Sequence, residues 1–137
     1  MKPLIHAKSS VRKYGGVVED YIEIHNFMDS TKSAMADVRH RAVLHSAFGI
    51  YIVEKAFGVS FKNSQGKDVS VRDIAEDHVI EDLGFIPSME NYLKNMQMQP
   101  WMSGTQRNRR KTSYDKLGRD PNKSNTIEEV ENEYGIR

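Results

Sequence analysis

The histidines are the residues of this 137-residue sequence whose spacing best suits chemistry. Residues three or four apart share a face of a helix, and several histidines have a carboxylate at that distance. The pairs are Asp37 with His40, His25 with Asp29, and His78 with both Glu81 and Asp82. Helical bundles build metal centres from such inward-facing pairs, and imidazole with carboxylate suits zinc, iron, nickel or manganese. The spacing therefore predicts a site for a divalent transition metal.

The predicted metal ligands are Asp37, His40, His45, His78 and Glu81. His40 and His45 are five positions apart, about 140° around a helix, so they can share one ion only where the helix is distorted. A bound ion would activate water, which predicts hydrolysis of a phosphorylated or nucleotide-like substrate. Arg39 and Arg41 are predicted to contact the anionic oxygens of that substrate.

Three other interpretations of the same residues stay open. The charged residues from Asp37 to Arg41 also suit a salt-bridge network, and His45 suits a core histidine bonded to a backbone carbonyl. All the histidines and acids together could form a buried polar network that only specifies the bundle. No nucleophile elbow or glycine-rich phosphate loop occurs. Whether the protein is an enzyme is not decided by its sequence.

The elements that must position these residues are mainly helical. Pro3 suits a first helical turn and Gly15-Gly16 a helix end, while Ser70 can cap a helix that stops at Gly84. Helices are predicted over about 3–13, 18–28, 31–57, 71–83 and 89–96, with a short β-hairpin from 59–61 and 69–71. The predicted fold is a small helical bundle with a β-hairpin insertion.

The charge pattern changes near residue 103. Residues 1–102 are predicted to form the helical domain, and 103–137 a charged tail that is flexible or ordered by a partner, with a short helix over 127–134. The basic run Arg107, Arg109, Arg110 and Lys111 could bind a partner or nucleic acid phosphates, or be a solvated tail. Trp101 with nearby methionines suits a protein partner or self-association. The alternative function is therefore a non-enzymatic interaction protein.

Cysteine is absent, which excludes disulfides and thiolate zinc sites. The N-terminal residues lack the apolar stretch of a signal peptide. The longest uncharged run, 42–53, is too short for a membrane span. A cytoplasmic protein without a membrane partner is expected.

Three motifs resemble a family of short prokaryotic and bacteriophage proteins that share a domain of unknown function. They are His6-Ala7-x-x-Ser10, Arg39-His40-Arg41-x3-His45 and Glu76-x-His78-x2-Glu81-Asp82-Leu83-Gly84. The resemblance covers about residues 3–102 and implies a common domain in a phage or mobile-element setting. An accessory factor in the host cytoplasm or a virion component would fit that setting. The resemblance implies no particular activity, but its motifs contain most of the histidines and acids above.

Overall fold

The computed structural model describes residues 1–104 of the chain. These residues form six α-helices and one antiparallel hairpin: α1 (Pro3–Tyr14), α2 (Ile22–Asp29), α3 (Arg41–Leu44), α4 (Ala47–Phe57), β1 (Ser60–Lys62), β2 (Asp68–Ser70), α5 (Val71–Leu83) and α6 (Met89–Leu93). Short 3₁₀ turns lie at Val18–Asp20, Ser30–Ser33, Val38–His40 and Pro100–Ser103. The predicted bundle with a hairpin is confirmed. The predicted tail and its helix at 127–134 lie outside the described residues.

Helices α1 and α5 begin and end where the sequence predicts. Pro3 opens α1, and Gly15 ends it with a φ of 81°. The Ser70 hydroxyl caps α5 by accepting a hydrogen bond from the Asp73 N–H at 3.2 Å, and Gly84 ends that helix in the left-handed conformation with a φ of 83°. Both helices therefore follow from local signals.

The continuous helix predicted over 31–57 is wrong. Ser46 has extended backbone angles and its hydroxyl accepts the Gly49 N–H at 3.0 Å, so α4 starts afresh after a break. Asp37 likewise caps the preceding 3₁₀ turn by accepting the Arg39 N–H at 2.9 Å. A Cβ on Gly49 would lie 2.3–2.5 Å from backbone atoms of Leu44, so only glycine permits this approach of α3 to α4. The break places His45 in a non-helical conformation between the two helices.

The apolar core lies between α1, α2, α4 and α5. Its buried members include Ile24, Met28, Val53, Ile74 and Val79. The hairpin pairs Phe61 with Val69, and the edge of the Phe61 ring packs against Tyr21. Helix α5 directly follows β2, so the hairpin fixes where α5 enters the core. Within residues 1–104, no helix combines the length and apolar character needed to cross a membrane.

Candidate metal centre

All five histidines are buried inside this bundle. His6, His25, His45 and His78 have no exposed surface, and His40 is 4% exposed. A buried imidazole requires hydrogen-bond partners, because an unpaired polar group in the interior costs free energy. The partners here are mostly carboxylates and other histidines, so the helices enclose a connected polar cluster within the apolar core.

Two of these histidines converge with two aspartates on one point. The Nε2 atom of His45 lies 3.0 Å from Asp82 Oδ2 and 3.5 Å from Asp29 Oδ1. The Nε2 atom of His78 lies 3.3 Å from Asp29 Oδ1 and 3.4 Å from Asp82 Oδ2. One ligand atom from each residue lies within 4.8 Å of all the others. We call Asp29, His45, His78 and Asp82 the His/Asp cluster.

The distances in the His/Asp cluster match those between ligands of one metal ion. Metal–ligand bonds of 2.0–2.1 Å separate neighbouring ligand atoms of a tetrahedral site by about 3.3–3.4 Å. The four nitrogen–oxygen distances, from 3.0 to 3.5 Å, lie around that value. Two imidazoles and two carboxylates are also a donor set that zinc, iron, nickel and manganese accept.

Each ligand is placed by a different local feature. His78 and Asp82 are four residues apart and share a face of α5, while Asp29 is the last residue of α2. His45 points inward because the chain breaks between α3 and α4, and the Tyr92 hydroxyl donates to the His45 carbonyl at 2.7 Å. The cluster therefore forms only when α2, α5 and the α3–α4 junction pack together.

The carboxylates of the cluster are held in their charged form. Burial opposes ionisation of Asp82, but hydrogen bonds from His45, His6 and His78 outweigh it and hold the Asp82 pKa far below its usual range. Burial likewise raises the pKa of Asp29, but the hydrogen bond from His78 brings it below the ordinary value. Two negative groups thus lie side by side in the interior.

The pKa values of the two histidines in the cluster shift in opposite directions. Burial lowers the pKa of His45, and its hydrogen bond with Asp82 does not reverse the shift. Burial also acts to lower the pKa of His78, but hydrogen bonds with Asp29 and Asp82 outweigh it, so that pKa is raised. His78 therefore holds a proton more readily than His45 does.

Other side chains support the ligands from outside. The ring nitrogens of His6 lie 2.7 Å from Glu81 Oε1 and 3.2 Å from Asp82 Oδ1, so His6 orients Asp82 through the oxygen that faces away from His45. Ser9 donates at 2.5 Å to Glu81, which lies outside the His/Asp cluster, so it does not orient a ligand directly. Ligands in metalloproteins are commonly oriented by such hydrogen bonds.

A second group of ring nitrogens, from His6, His25 and His78, also lies within 4.8 Å. Its rings are nearly parallel, with interplanar angles of 19–23°, and those of His6 and His78 stack with centroids only 3.7 Å apart. A metal ion binds in the plane of each imidazole, and the stacked rings of His6 and His78 do not direct their lone pairs to one point. The His/Asp cluster is therefore the better candidate.

The structure brings together only part of the predicted ligand set. His45 and His78 lie in the cluster, whereas Glu81 binds His6 and Ser9 beside it. The ring of His40 lies 5.8 Å from that of His45, edge to face, and its Nδ1 is 2.8 Å from the Thr31 hydroxyl. The Asp37 carboxylate is half exposed and binds Arg39, so it lies outside the cluster.

The predicted contact residues lie in three different settings. The Arg39 side chain is largely exposed and paired with Asp37, while Arg41 Nε is buried without a hydrogen-bond partner among residues 1–104. Trp101 is 61% exposed, and its role in partner binding stays a prediction. The basic run at Arg107, Arg109, Arg110 and Lys111 lies outside the described residues, as does any nucleic-acid contact there.

Asp29 and Asp82 are missing from the predicted ligand set, although both stand four residues after a histidine. The signal was present in His25-x3-Asp29 and His78-x3-Asp82. The sequence does not show that Asp29 turns toward His78 and His45 rather than toward His25.

A family model described as a domain of unknown function (DUF6915) matches residues 1–102 of the chain. The chain belongs to this family. The matched residues include the whole His/Asp cluster and its supporting side chains, so the centre lies in the family's own domain. No curated protein gives a significant match, and no solved structure does. The resemblance to a family of unknown function is confirmed, while a prokaryotic or phage setting stays a prediction.

Proposed function

We propose that this domain binds one divalent transition metal ion through Asp29, His45, His78 and Asp82. The observation that carries the proposal is the set of four nitrogen–oxygen distances between 3.0 and 3.5 Å, which an ion at the centre would bridge. The ion would be zinc, iron, nickel or manganese, the metals that accept both imidazole and carboxylate.

Hydrogen bonding alone explains the cluster less well than an ion does. Each Nε2 atom carries at most one proton but faces two carboxylate oxygens within 3.5 Å, so one contact of each pair is left without a hydrogen. An unsatisfied buried group costs about 1–3 kcal/mol. A central cation bonds all four inward-facing atoms at once.

The coordination number of the ion decides what chemistry follows. Four protein ligands complete a tetrahedral zinc site, which would be structural. An octahedral ion would keep two positions for water and substrate, and it would supply a metal-activated water nucleophile. Hydrolysis of a phosphorylated substrate is therefore the second candidate function. Arg41 is its predicted phosphate contact, and because the Arg41 Nε is buried without a hydrogen-bond partner among residues 1–104, a substrate would reach that atom only if the interior opened.

Metal content of the full chain, purified without a histidine tag, tests the site. We expect about one equivalent of a transition metal by elemental analysis, removed by a chelator with a fall in melting temperature. Asp82→Asn should lose more affinity than the roughly 10- to 100-fold that removing a supporting residue costs. The matched control is Asp68→Asn, because Asp68 is an exposed hairpin carboxylate that pairs with Lys62.

Two results would overturn the site. The first is less than a tenth of an equivalent of every transition metal, with no binding on titration and no change in melting after chelation. The second is equal affinity in Asp82→Asn and Asp68→Asn.

Hydrolysis is tested separately with phosphomonoester and phosphodiester probes and the protein loaded with manganese, iron, nickel or zinc. We expect turnover with an octahedral ion and a rise in KM in Arg41→Gln. Arg39→Gln is the matched control, because Arg39 is exposed and already paired with Asp37. Metal binding without turnover on any probe would leave the structural site and reject the hydrolase.

A further inference from the structure

A buried chain of hydrogen bonds runs from the His/Asp cluster to a backbone carbonyl on α1. The Nδ1 atom of His78 lies 2.8 Å from Nδ1 of His25, and Nε2 of His25 lies 2.9 Å from the Ser10 hydroxyl. That hydroxyl donates to the carbonyl of His6 at 3.2 Å. Ser10, His25 and His78 are all buried, so these bonds are made within the protein.

The direction of the chain depends on where the single Ser10 proton points. The Ser10 hydroxyl donates to the His6 carbonyl, so its oxygen accepts from His25 Nε2–H. His25 has no exposed surface, and its two ring nitrogens face a hydroxyl and another imidazole rather than a carboxylate, so the surroundings favour its neutral form. A neutral imidazole carries one proton, so His25 Nδ1 has a lone pair and accepts from His78 Nδ1–H.

We propose that Ser10 and His25 are positioning residues that fix the Nδ1–H form of His78 and so direct its Nε2 lone pair at the metal ion. The inference rests on the proposed metal site. Neither residue touches the ion. Their effect comes from proton placement: with Nδ1–H committed to His25, the only nitrogen of His78 that can bind metal is the one that faces Asp29 and Asp82.

Removing the Ser10 hydroxyl should reverse the chain. In Ser10→Ala, His25 Nε2–H has no acceptor in a buried site, which favours the other neutral form of His25 with its proton on Nδ1. That proton would donate to His78 Nδ1 and leave His78 with its own proton on Nε2, where it blocks the ion. We expect zinc affinity to fall about 10- to 100-fold, the usual effect of losing a residue that orients a metal ligand.

The chain offers a matched control one residue away. Ser9 is on the same helix, but its hydroxyl donates to Glu81 and takes no part in the bonds to His25. Ser9→Ala should therefore keep zinc affinity within about twofold, well inside the change expected for Ser10→Ala. A second pair of variants replaces the relay itself. His25→Asn keeps an oxygen that can accept from His78 Nδ1–H, whereas His25→Leu does not, so only the leucine variant should weaken zinc binding.

The test combines zinc titration with ¹⁵N NMR of the histidine rings in the full chain. In the zinc-loaded wild type we expect His25 protonated at Nε2 and His78 protonated at Nδ1. At a pH high enough to keep His78 neutral, metal-free Ser10→Ala should carry the His25 proton on Nδ1, while Ser9→Ala keeps the wild-type pattern. This ring signal separates a positioning role from a general loss of stability, which amide spectra of each variant also monitor.

Failure of this inference and failure of the metal site give different results. A wild type that binds no zinc refutes the site and the positioning role together. A wild type that binds zinc with His25 protonated at Nδ1 overturns the positioning role alone. So does a folded Ser10→Ala with unchanged zinc affinity. If Ser10→Ala does not fold, equal zinc affinities of His25→Leu and His25→Asn would overturn the positioning role instead.

Discussion

His25 should make the metal-free domain less stable as the pH falls from 7 to 5. Burial and the neighbouring charges of His78 and His6 lower its pKa to about 3 in the folded protein, against 6.5 as the ordinary value. Between these values the unfolded chain takes up a proton that the folded domain does not, so stability decreases as the pH falls. From pH 7 to pH 5 this one group should remove about 2 kcal/mol of unfolding free energy.

Other titrating groups act differently in this range. The lowered pKa values of His40 and His45 also make the folded domain less stable as the pH falls, as that of His25 does. The raised pKa of His78 has the opposite effect on stability. Its contribution is complete at low pH and is lost as the pH rises through the pKa of His78 in the folded protein. Asp29 and Asp82 have lowered pKa values and lose their contribution only below about pH 4. A variant that removes His25 is therefore needed to isolate its share.

The assay is urea unfolding of metal-free wild type and His25→Asn at pH 7 and pH 5, with a chelator present. From pH 7 to pH 5 the unfolding free energy of the wild type should fall by about 2 kcal/mol more than that of His25→Asn, whatever the difference in stability between the two proteins at pH 7. Ser9→Ala, which removes a hydroxyl bonded to Glu81 but no titrating ring, should keep the wild-type dependence. Equal pH dependence in wild type and His25→Asn would refute the argument that His25 is buried in its neutral form.

Three further substitutions test the geometry of the site. Gly49→Ala should destabilise the domain by about 1–3 kcal/mol in thermal unfolding, because its Cβ would overlap the Leu44 backbone, and unchanged melting would contradict the close approach. Tyr92→Phe removes the hydroxyl that holds the His45 carbonyl and should cost about 1 kcal/mol in urea unfolding, so a variant as stable as wild type would reject that bond. Asp82→Asn should cost the metal-free domain about 3–5 kcal/mol in urea unfolding, because it removes the buried carboxylate that His6, His45 and His78 share, and a loss below 1 kcal/mol would show that these contacts stabilise the fold little.

Local signals in the sequence account for much of the fold. Pro3 and Gly15 delimit α1, and Ser70 and Gly84 delimit α5, because capping bonds and left-handed glycines depend on a few neighbouring residues. The paired strands are recognisable for the same reason, since a polar turn separates two short apolar runs.

The helix predicted over 31–57 is wrong because the apolar pattern continues through a signal that ends one helix and starts another. Apolar residues recur throughout that range, yet Ser46 followed three residues later by Gly49 forms a cap that restarts the helix. Tertiary contacts then stabilise the break, with the Ala47 N–H bonded to the Pro87 carbonyl and Tyr92 bonded to His45. Those partners lie some forty residues away along the chain, and periodicity carries no information about them.

The sequence predicts the kind of site, a group of histidines and carboxylates, but not which residues belong to it. Spacing marks His78 and Asp82 as neighbours on one helix, but it cannot show that Asp29 of another helix completes the set. Asp37 has equally favourable spacing to His40 and is nevertheless at the surface, paired with Arg39. Only the packing of α2 against α5 distinguishes the two aspartates.

The charge of the His/Asp cluster gives a physical reason for a cation to bind there. Asp29 and Asp82 are both held in their charged form, and the N-terminal ammonium group of Met1, 3.0 Å from Asp82 Oδ1, compensates one of these two negative charges. Buried charges stabilise a fold poorly unless they are compensated, so the second negative charge needs a proton on a histidine or a bound cation. A metal ion would take the place of that proton, and metal binding and protonation of the cluster therefore exclude each other.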